Sequence, residues 1–384
     1  MAHPDALLSG TNLPKVKQYN ESVVFEAIRR HPGRSRAEVA ERCGLTPATV
    51  THIVKRLMAQ GLLLEAEVDG DRRVGRPRLG LSLNGDGAWV VAGHLMVGSL
   101  QVTTANLEGR ELAPARTLAL PRDLDEAALA QRVADAFLEE LKLPLPPGAR
   151  RLGFGIGLPG PLRRDLGDRV VLAERLARML PLPVVVENNG SAAAVGELWF
   201  GSAPELRDFL YVYIGSAGIG GGLVLDGEVR LGASLNIAEI GHVGIDPEGV
   251  LCECGLRGCA ETVAGPSALA DAYGGTLEAL ARDDSPEAGA LRRLAARALS
   301  YAVVSAVNVT DVDEVVFGGQ SPDIITSVYL PDGGESVRRQ VFRRRSRDVT
   351  VRVSQLGSRA GLMGAASLIF HRRYFPTLVG GGGR

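Results

Sequence analysis

Three of the four cysteines in the chain fall within eight consecutive positions. They are Cys252, Cys254 and Cys259, and His242 lies ten positions before the first of them. Three thiolates and one imidazole make a complete ligand set for a structural tetrahedral zinc site. A surface loop with free thiols or a chance disulfide is the alternative, but a Cys-x-Cys pair is too close for a good internal disulfide. The spacing therefore predicts zinc.

Two consecutive amides form a second candidate site. Asn188 and Asn189 follow a predicted buried strand at 184–187 and precede a predicted alanine-rich helix at 191–199. Ligands of α/β sheets bind at the carboxyl ends of strands, so both amides are candidate ligand contacts. The same residues are also good helix-capping types, and that alternative stays open. The glycine-rich turn at 215–221 could approach a phosphate, although a bare hairpin needs glycines too.

The N-terminal part of the chain has the pattern of a helix-turn-helix. Helices are predicted from about residue 20 to 30, from a capping box at Ser35 to about 42, and after Thr46. The third helix has an apolar stripe on one face and small or polar groups on the other. The candidate DNA contacts on it are Thr46, Ala48, Thr49, Thr51, His52 and Lys55. A bundle used only for protein contacts is the alternative.

An arginine-rich loop lies between two predicted strands, at 62–65 and 79–83, which look like a wing. Arginines on a Gly/Pro-rigid loop suit a narrow, electronegative minor groove. Residues 15–78 carry thirteen lysines and arginines against eight acidic residues, whereas the rest of the chain is acidic. This charge split favours DNA as the partner of the N-terminal part. The candidate wing contacts are Arg72, Arg73, Arg76 and Arg78.

The length of 384 residues predicts more than one domain. We expect a flexible arm at 1–15, a winged helix-turn-helix at 16–83 and a large body at 88–384, in which strands alternate with helices as in α/β proteins. Residues 1–30 contain no long apolar run, so neither a signal peptide nor a membrane span is expected there. Four cysteines in a chain of this length do not form a disulfide framework, which fits the cytoplasm.

Several motifs together resemble the ROK family, whose members are repressors and sugar kinases, and more closely its winged-helix repressor branch. The resemblance covers about residues 16–372. It implies an actin-like, hexokinase-type pair of α/β lobes with sugar in the cleft: one lobe at 88–199 plus 358–372, the other at 200–357. The motifs are Cys252-x-Cys254-Gly255-x-x-Gly258-Cys259-x-Glu261, Gly157-x-Pro159-Gly160-Pro161, Val316-Phe317-Gly318-Gly319, Gly75-Arg76-Pro77 and the glycine-rich hairpin 215–222.

The resemblance also assigns residues. It implies sugar contacts at Glu239, His242 and Glu261, and metal ligands at His242 and the three clustered cysteines. Asn188 and Asn189 belong to the same effector site. Carboxylates suit sugar recognition because each accepts two hydroxyl hydrogen bonds. His242 could coordinate zinc through one ring nitrogen and donate to a sugar hydroxyl through the other.

Two departures from the family's kinases predict that the chain is not an enzyme. The kinases carry an Asn-Asp pair whose Asp is the general base, and here the pair is Asn188-Asn189, which has no basicity. Their first phosphate loop is replaced by 93–99, which lacks an acidic residue for Mg²⁺. We therefore expect a sugar-responsive repressor with structural zinc, operator DNA and a sugar or sugar-phosphate effector as partners, assembled as a homodimer or homotetramer. An ATP-dependent sugar kinase with a DNA-binding head, or a protein-interaction scaffold, is the alternative.

Overall fold

The computed structural model describes residues 12–67, 79–121, 124–160, 169–201, 206–216, 218–231, 236–342 and 347–376. It begins with three helices and an antiparallel hairpin, which we call the head. This confirms the predicted helix-turn-helix with two wing strands. The elements of the head are α1 (Leu13–Arg30), α2 (Arg36–Cys43), α3 (Pro47–Ala59), β1 (Leu63–Glu67) and β2 (Leu79–Leu83).

Local capping sets the helix ends in the head. Both halves of the predicted capping box at Ser35 are formed, and α3 begins at Pro47 behind its cap Thr46. The first helix starts earlier than predicted. Its cap is Asn12, whose Oδ1 accepts a hydrogen bond from the Lys15 amide at 3.1 Å.

The body contains two five-stranded sheets with the same order of strands. In each, three strands form an antiparallel meander, a fourth strand pairs in parallel with the first of them, and a fifth pairs in parallel with the fourth. The first sheet and its helices are β3 (Ala88–Met96), β4 (Ser99–Asn106), β5 (Arg116–Ala119), α4 (Glu126–Leu141), β6 (Arg150–Leu158), α5 (Arg169–Met179), β7 (Val184–Asn188) and α6 (Asn189–Phe200).

The second sheet has the order β10-β9-β8-β11-β12, which repeats the order β5-β4-β3-β6-β7 of the first. Short 3-10 turns at Gly85–Gly87, Ile240–His242 and Gly357–Arg359, and a π-helix at Ile325–Tyr329, complete the body. Its strands are β8 (Phe209–Ile214), β9 (Ile219–Leu225), β10 (Glu228–Arg230), β11 (Glu314–Gly319) and β12 (Thr350–Val353). The remaining helices are α7 (Glu261–Ala264), α8 (Pro266–Tyr273), α9 (Leu277–Arg282), α10 (Pro286–Thr310), α11 (Pro322–Ile324), α12 (Leu330–Gln340) and α13 (Ala360–Tyr374).

Two small-residue helices form the centre of the body. Helix α6 is buried along most of its length and packs against both β8–β9 and α13, while α13 packs on β3 and β6. Their close approach depends on glycine, because a Cβ on Gly196 would lie 2.9 Å from the Gly364 Cα. The two lobes therefore meet across α6. None of the helices within the described residues combines the length and apolar character needed to cross a membrane.

The head packs directly on this central helix pair. Phe25 of α1 stacks on Tyr374 of α13 with a centroid distance of 4.3 Å. The Arg29 guanidinium lies 4.7 Å from the Trp199 ring centroid and donates a hydrogen bond to the Trp199 carbonyl oxygen. The turn at residues 84–87 is also held, since Asn84 Nδ2 donates to the Gly61 carbonyl oxygen. Head and body thus share one hydrophobic core.

Candidate functional site

The four predicted metal ligands converge in the structure. The candidate ligand atoms of His242, Cys252, Cys254 and Cys259 all lie within 4.8 Å of one another. Cys252 Sγ is 3.6 Å from His242 Nδ1, and the Sγ atoms of Cys254 and Cys259 are 3.5 Å apart. Tetrahedral bonds of about 2.3 Å from sulfur to zinc place ligand atoms roughly 3.5–4 Å apart. The cluster therefore has the dimensions of a closed four-ligand site for one metal ion.

The backbone of the knuckle, residues 242–259, explains why these side chains meet. A bridge between Gly244 and Cys259 closes the loop. Gly255 and Gly258 have φ values of 94° and 64°, as a tight turn between the second and third cysteines requires. A Cβ on Gly258 would lie 1.6 Å from the Asp246 carbonyl oxygen, so no side chain fits there.

The chemistry of the thiols also favours a cation. Burial, together with the neighbouring Cys254 and Cys252 thiols, raises the pKa of Cys259 to about 12. Three thiols in such close contact repel one another when ionised, and a divalent cation reverses that balance because it binds thiolates. The donor set therefore fits a metal ion better than it fits three free thiols.

The predicted sugar-contacting carboxylates lie beside the knuckle. Glu239 precedes the 3-10 turn that ends at His242, and Glu261 opens α7 directly after the last cysteine. Glu261 Oε2 accepts a hydrogen bond of 2.6 Å from the Ile219 amide, which ties the glycine-rich hairpin to the knuckle. Burial raises the pKa of Glu239, while the charge of His242 lowers it and that of Glu261 raises it. The charges of the three side chains thus influence one another.

The two asparagines lie where β7 ends and α6 begins. Asn188 caps the helix, because its Oδ1 accepts a hydrogen bond from the Ser191 amide at 2.6 Å. Asn189 is the first helical residue, and its Nδ2 donates to the Leu95 carbonyl oxygen at 3.1 Å. Asn189 Oδ1 is buried without a hydrogen-bond partner among the described residues. The capping interpretation is thus confirmed for Asn188, whereas a ligand contact stays a prediction, for which Asn189 offers one acceptor without a partner among the described residues.

Sequence reasoning missed a charged pair at the same strand end. Arg169 Nη1 is 3.9 Å from Glu187 Oε1, and the two side chains are only 11% and 10% exposed. Burial raises the pKa of Glu187 to about 7, although the Arg169 charge lowers it. Glu187 was recognisable as a carboxylate in a valine-rich strand directly before Asn188, whereas nothing in the sequence singled out Arg169.

His94 occupies the end of β3, inside the segment predicted to replace a phosphate loop. Its Nε2 is 3.0 Å from the Tyr213 hydroxyl of the second sheet. Burial lowers the pKa of His94 to about 4, so the imidazole is neutral near pH 7. A Cβ on Gly361 would lie 2.5 Å from the ring, which shows how fully the ring fills this space.

The candidate DNA contacts on α3 form a partly exposed surface. Ala48, His52 and Lys55 are exposed, and Thr51 is half-buried. Thr46 and Thr49 are engaged in capping, with Thr46 Oγ1 accepting from the Thr49 amide at 3.2 Å. The opposite face, with Val50, Ile53, Val54 and Leu57, is buried in the core of the head. The predicted wing contacts Arg72, Arg73, Arg76 and Arg78 lie outside the described residues.

Comparison with known proteins identifies both parts of this arrangement. Residues 138–372, more than half of the chain, match the model of the ROK family. The chain belongs to the ROK family. Residues 18–74 match the model of the MarR family, in agreement with the winged helix-turn-helix of the head. The chain is also 28% identical to a protein named putative xylose repressor from Caldicellulosiruptor sp. (strain Rt8B.4), over 95% of this chain and 98% of that relative.

Solved structures of ROK proteins show the same architecture. A ROK family transcriptional regulator, described as a homolog of the E. coli MLC protein, matches with a TM-score of 0.79 and 26% identity over 95% of this chain and 98% of the regulator. A ROK hexokinase from Thermus thermophilus matches with a TM-score of 0.60 and 29% identity over 72% of this chain and 97% of the hexokinase. The predicted winged helix-turn-helix followed by a two-lobed α/β body is therefore confirmed.

Proposed function

We propose that this ROK protein is a sugar-responsive DNA-binding transcriptional regulator, and specifically a repressor of genes for carbohydrate uptake or catabolism. The observation that carries the proposal is the exposed polar face of α3 on a head that packs against the ROK body. A relative named as a repressor spans nearly the whole chain, head included. Thr51, His52 and Lys55 would face the major groove, and the four wing arginines would face the minor groove.

Gel shifts with DNA fragments from upstream of the protein's own operon test operator binding. Lys55 is an exposed cation on α3, so Lys55→Ala should weaken binding and reduce the slope of log affinity against log salt by about one. Lys142→Ala is the matched control, because Lys142 is an exposed lysine of the body and pairs with Glu139. Binding that is insensitive to both salt and sequence would sink the proposal.

We also propose that this chain does not catalyse phosphoryl transfer. Asn189 stands where the family's kinases have the general base, and its amide is held by the Leu95 carbonyl oxygen. His94, whose pKa burial lowers to about 4, lies inside the segment 93–99 that replaces the phosphate loop. An ATP-consumption assay over a panel of sugars should therefore stay at background for the wild type and for Asn189→Asp. Turnover that Glu239→Ala abolishes would instead establish a sugar kinase with a DNA-binding head.

The metal of the knuckle would be zinc with a structural role, held by His242 and the three clustered cysteines. Since Cys252 lies against His242 Nδ1, Nε2 of the same ring is left to face the effector. The effector would contact Asn188, Asn189, Glu239, His242 and Glu261. Zinc content is measured by metal analysis of the purified protein, with one ion per chain as the expected result.

Effector binding would change the affinity for the operator by changing the spacing between the two heads of an oligomer. A helix-turn-helix reads half-sites at a fixed spacing, which favours a homodimer or homotetramer. A ligand that closes the lobes changes the position of α6 and hence of the head that packs on it. Light scattering with and without operator DNA measures the assembly, and a monomer on operator DNA would contradict it.

A further inference from the structure

Two charged side chains, one at the start of α5 and one near the end of β7, have buried polar atoms that form no hydrogen bond within the described residues. Nη1 and Nη2 of Arg169 and Oε2 of Glu187 are buried and have no hydrogen-bond partner among the described residues. The closest approach of the pair, 3.9 Å, is too long for a hydrogen bond. Buried charged groups left in this state cost free energy, so an arrangement of this kind needs a functional explanation.

The position of the pair connects it with the proposed effector site. Glu187 directly precedes Asn188, and the Arg169 charge lowers the pKa of Glu239. Glu239 in turn lies next to the turn after β6, since a Cβ on Gly160 would be 3.5 Å from Glu239 Oε1. The charge of Arg169 therefore acts on Glu239, one of the two carboxylates proposed to hold the sugar hydroxyls.

We infer that Arg169 and Glu187 form a subsite for an anionic group of the effector, so that the ligand is a sugar phosphate or a sugar acid. The inference rests on the proposed function and narrows its ligand class. Neither Nη group of the planar guanidinium has a hydrogen-bond partner among the described residues, and two such groups can bind a phosphate or carboxylate in a bidentate manner.

Glu187 would accommodate this anion rather than repel it. Because burial already raises the pKa of Glu187 to about 7, an added anion nearby favours its protonated form. Protonated Glu187 can donate a hydrogen bond to the ligand through its free Oε2. Arg169 then no longer shares its charge with Glu187, and the full charge faces the bound anion.

Calorimetric titration of the zinc-loaded, full-length protein with matched pairs of sugars tests the inference. The pairs are glucose, N-acetylglucosamine and xylose, each against its own phosphate ester, with glucuronate as the carboxylate counterpart of glucose. In at least one pair the anionic member should bind roughly tenfold to a hundredfold more tightly, as expected for charge-assisted hydrogen bonds to arginine. A preference for phosphate over glucuronate, or the reverse, identifies which anion the subsite takes.

Variants then assign the preference to Arg169. Arg169→Gln should abolish the preference for the anion, so that the anionic and the neutral member of each pair bind with similar Kd values. Arg169→Lys should keep part of it, because the charge remains and the fork is lost. Arg175→Gln, six residues further along α5 and paired with Glu126, is the control and should behave as the wild type.

The outcomes separate this inference from the proposed function. Equal or tighter binding of the neutral sugars overturns the anionic subsite and leaves the sugar-responsive regulator intact. An anion preference that survives in Arg169→Gln also overturns the assignment. If no member of any pair binds, both the subsite and the sugar response are overturned.

Discussion

The thiols and the imidazole of the knuckle have the sharpest consequence at the scale of single residues. Cys252→Ser should lose the metal and reduce the effect of the ligand on operator affinity, because the proposed zinc would fix the ring of His242 and the chain that leads to Glu261. The two lobes should remain folded, since their cores do not include the knuckle cysteines. Metal analysis, circular dichroism and gel shifts with ligand measure the three effects.

The control for this change is the fourth cysteine. Cys43 is half-buried in the head, and its Sγ contacts only the Val23 carbonyl oxygen among the hydrogen bonds described. Cys43→Ser should retain the metal and the ligand response. A Cys252→Ser protein that still answers to its ligand would contradict the coupling of metal to effector.

Glu187 gives a prediction for the dependence of stability on pH. Its pKa is raised from an ordinary value of 4.5 to about 7 by burial. The folded state therefore binds more protons than the unfolded state between these values, so this residue's contribution is full below about pH 4.5 and is lost as pH rises through 7. Glu187→Gln should flatten this loss, which amounts to up to roughly 3 kcal/mol for a shift of this size.

Urea unfolding of the wild type and Glu187→Gln between pH 4.5 and 8 measures that loss. The difference between the two proteins isolates Glu187, because buried His94 and His371 titrate equally in both. Parallel curves would show that Glu187 is ionised throughout and would remove its proposed role as a hydrogen-bond donor.

At the scale of whole elements, sequence patterns predicted some strand and helix bounds and missed others. The wing strand predicted at 79–83 has the same bounds in the structure, and the buried strand predicted at 184–187 ends one residue later, at Asn188. The short edge strand Thr350–Val353 was missed, because it is only partly buried and carries no apolar run. Capping sets the ends of other elements. Asn188 caps α6, so the helix begins at Asn189, two residues before the predicted start. Asn189 is therefore helical, and its side chain donates a hydrogen bond to the Leu95 carbonyl oxygen.

The candidate site was predictable where one short segment contains the chemistry. The knuckle ligands are close in sequence, so their spacing alone predicted the cluster. The Arg169–Glu187 pair depends on the packing of α5 against β7, and no local pattern encodes that contact. Pairs between distant elements of this kind become visible only in three dimensions.

Helix α6 suggests how the site and the head are linked. Its first residue is Asn189. The carbonyl oxygen of its penultimate residue, Trp199, accepts a hydrogen bond from Arg29 of α1. Arg29→Met should leave operator affinity within a few fold, since its side chain is only 7% exposed and faces the body. It should reduce the effect of ligand on operator affinity several-fold, because charged hydrogen bonds of this kind contribute about 1.5–3 kcal/mol.

Gel shifts at saturating and zero ligand measure that coupling. Arg34→Met is the matched control, because Arg34 is a more exposed arginine of the head, whose side chain pairs with Glu38. Unchanged coupling in Arg29→Met would exclude α6 and Trp199 as the connection between the two sites.

At the scale of the whole molecule, the shared core indicates that head and body unfold together. The body alone, residues 85–384, should fold. The hexokinase structure matches 72% of this chain over 97% of its own length, so a body of this kind folds without the rest of the chain. It should nevertheless melt at a lower temperature than the full chain, because removal of α1 uncovers Tyr374 and Trp199. Differential scanning calorimetry of the two proteins measures this, with a single transition expected for the full chain.

Tyr374→Ala turns this expectation into a test of the interface itself. In the full chain the ring is 5% exposed and stacked on Phe25, so its removal should cost about 3–5 kcal/mol of unfolding free energy. In residues 85–384 the Tyr374 ring has no Phe25 to stack on. The loss of unfolding free energy on Tyr374→Ala should therefore be smaller there, by the free energy that the Phe25–Tyr374 contact contributes. Equal costs in the two proteins would mean that the head adds nothing to the stability of the body. The heads would then be independent modules, and a ligand bound between the lobes would have no packed surface through which to move them.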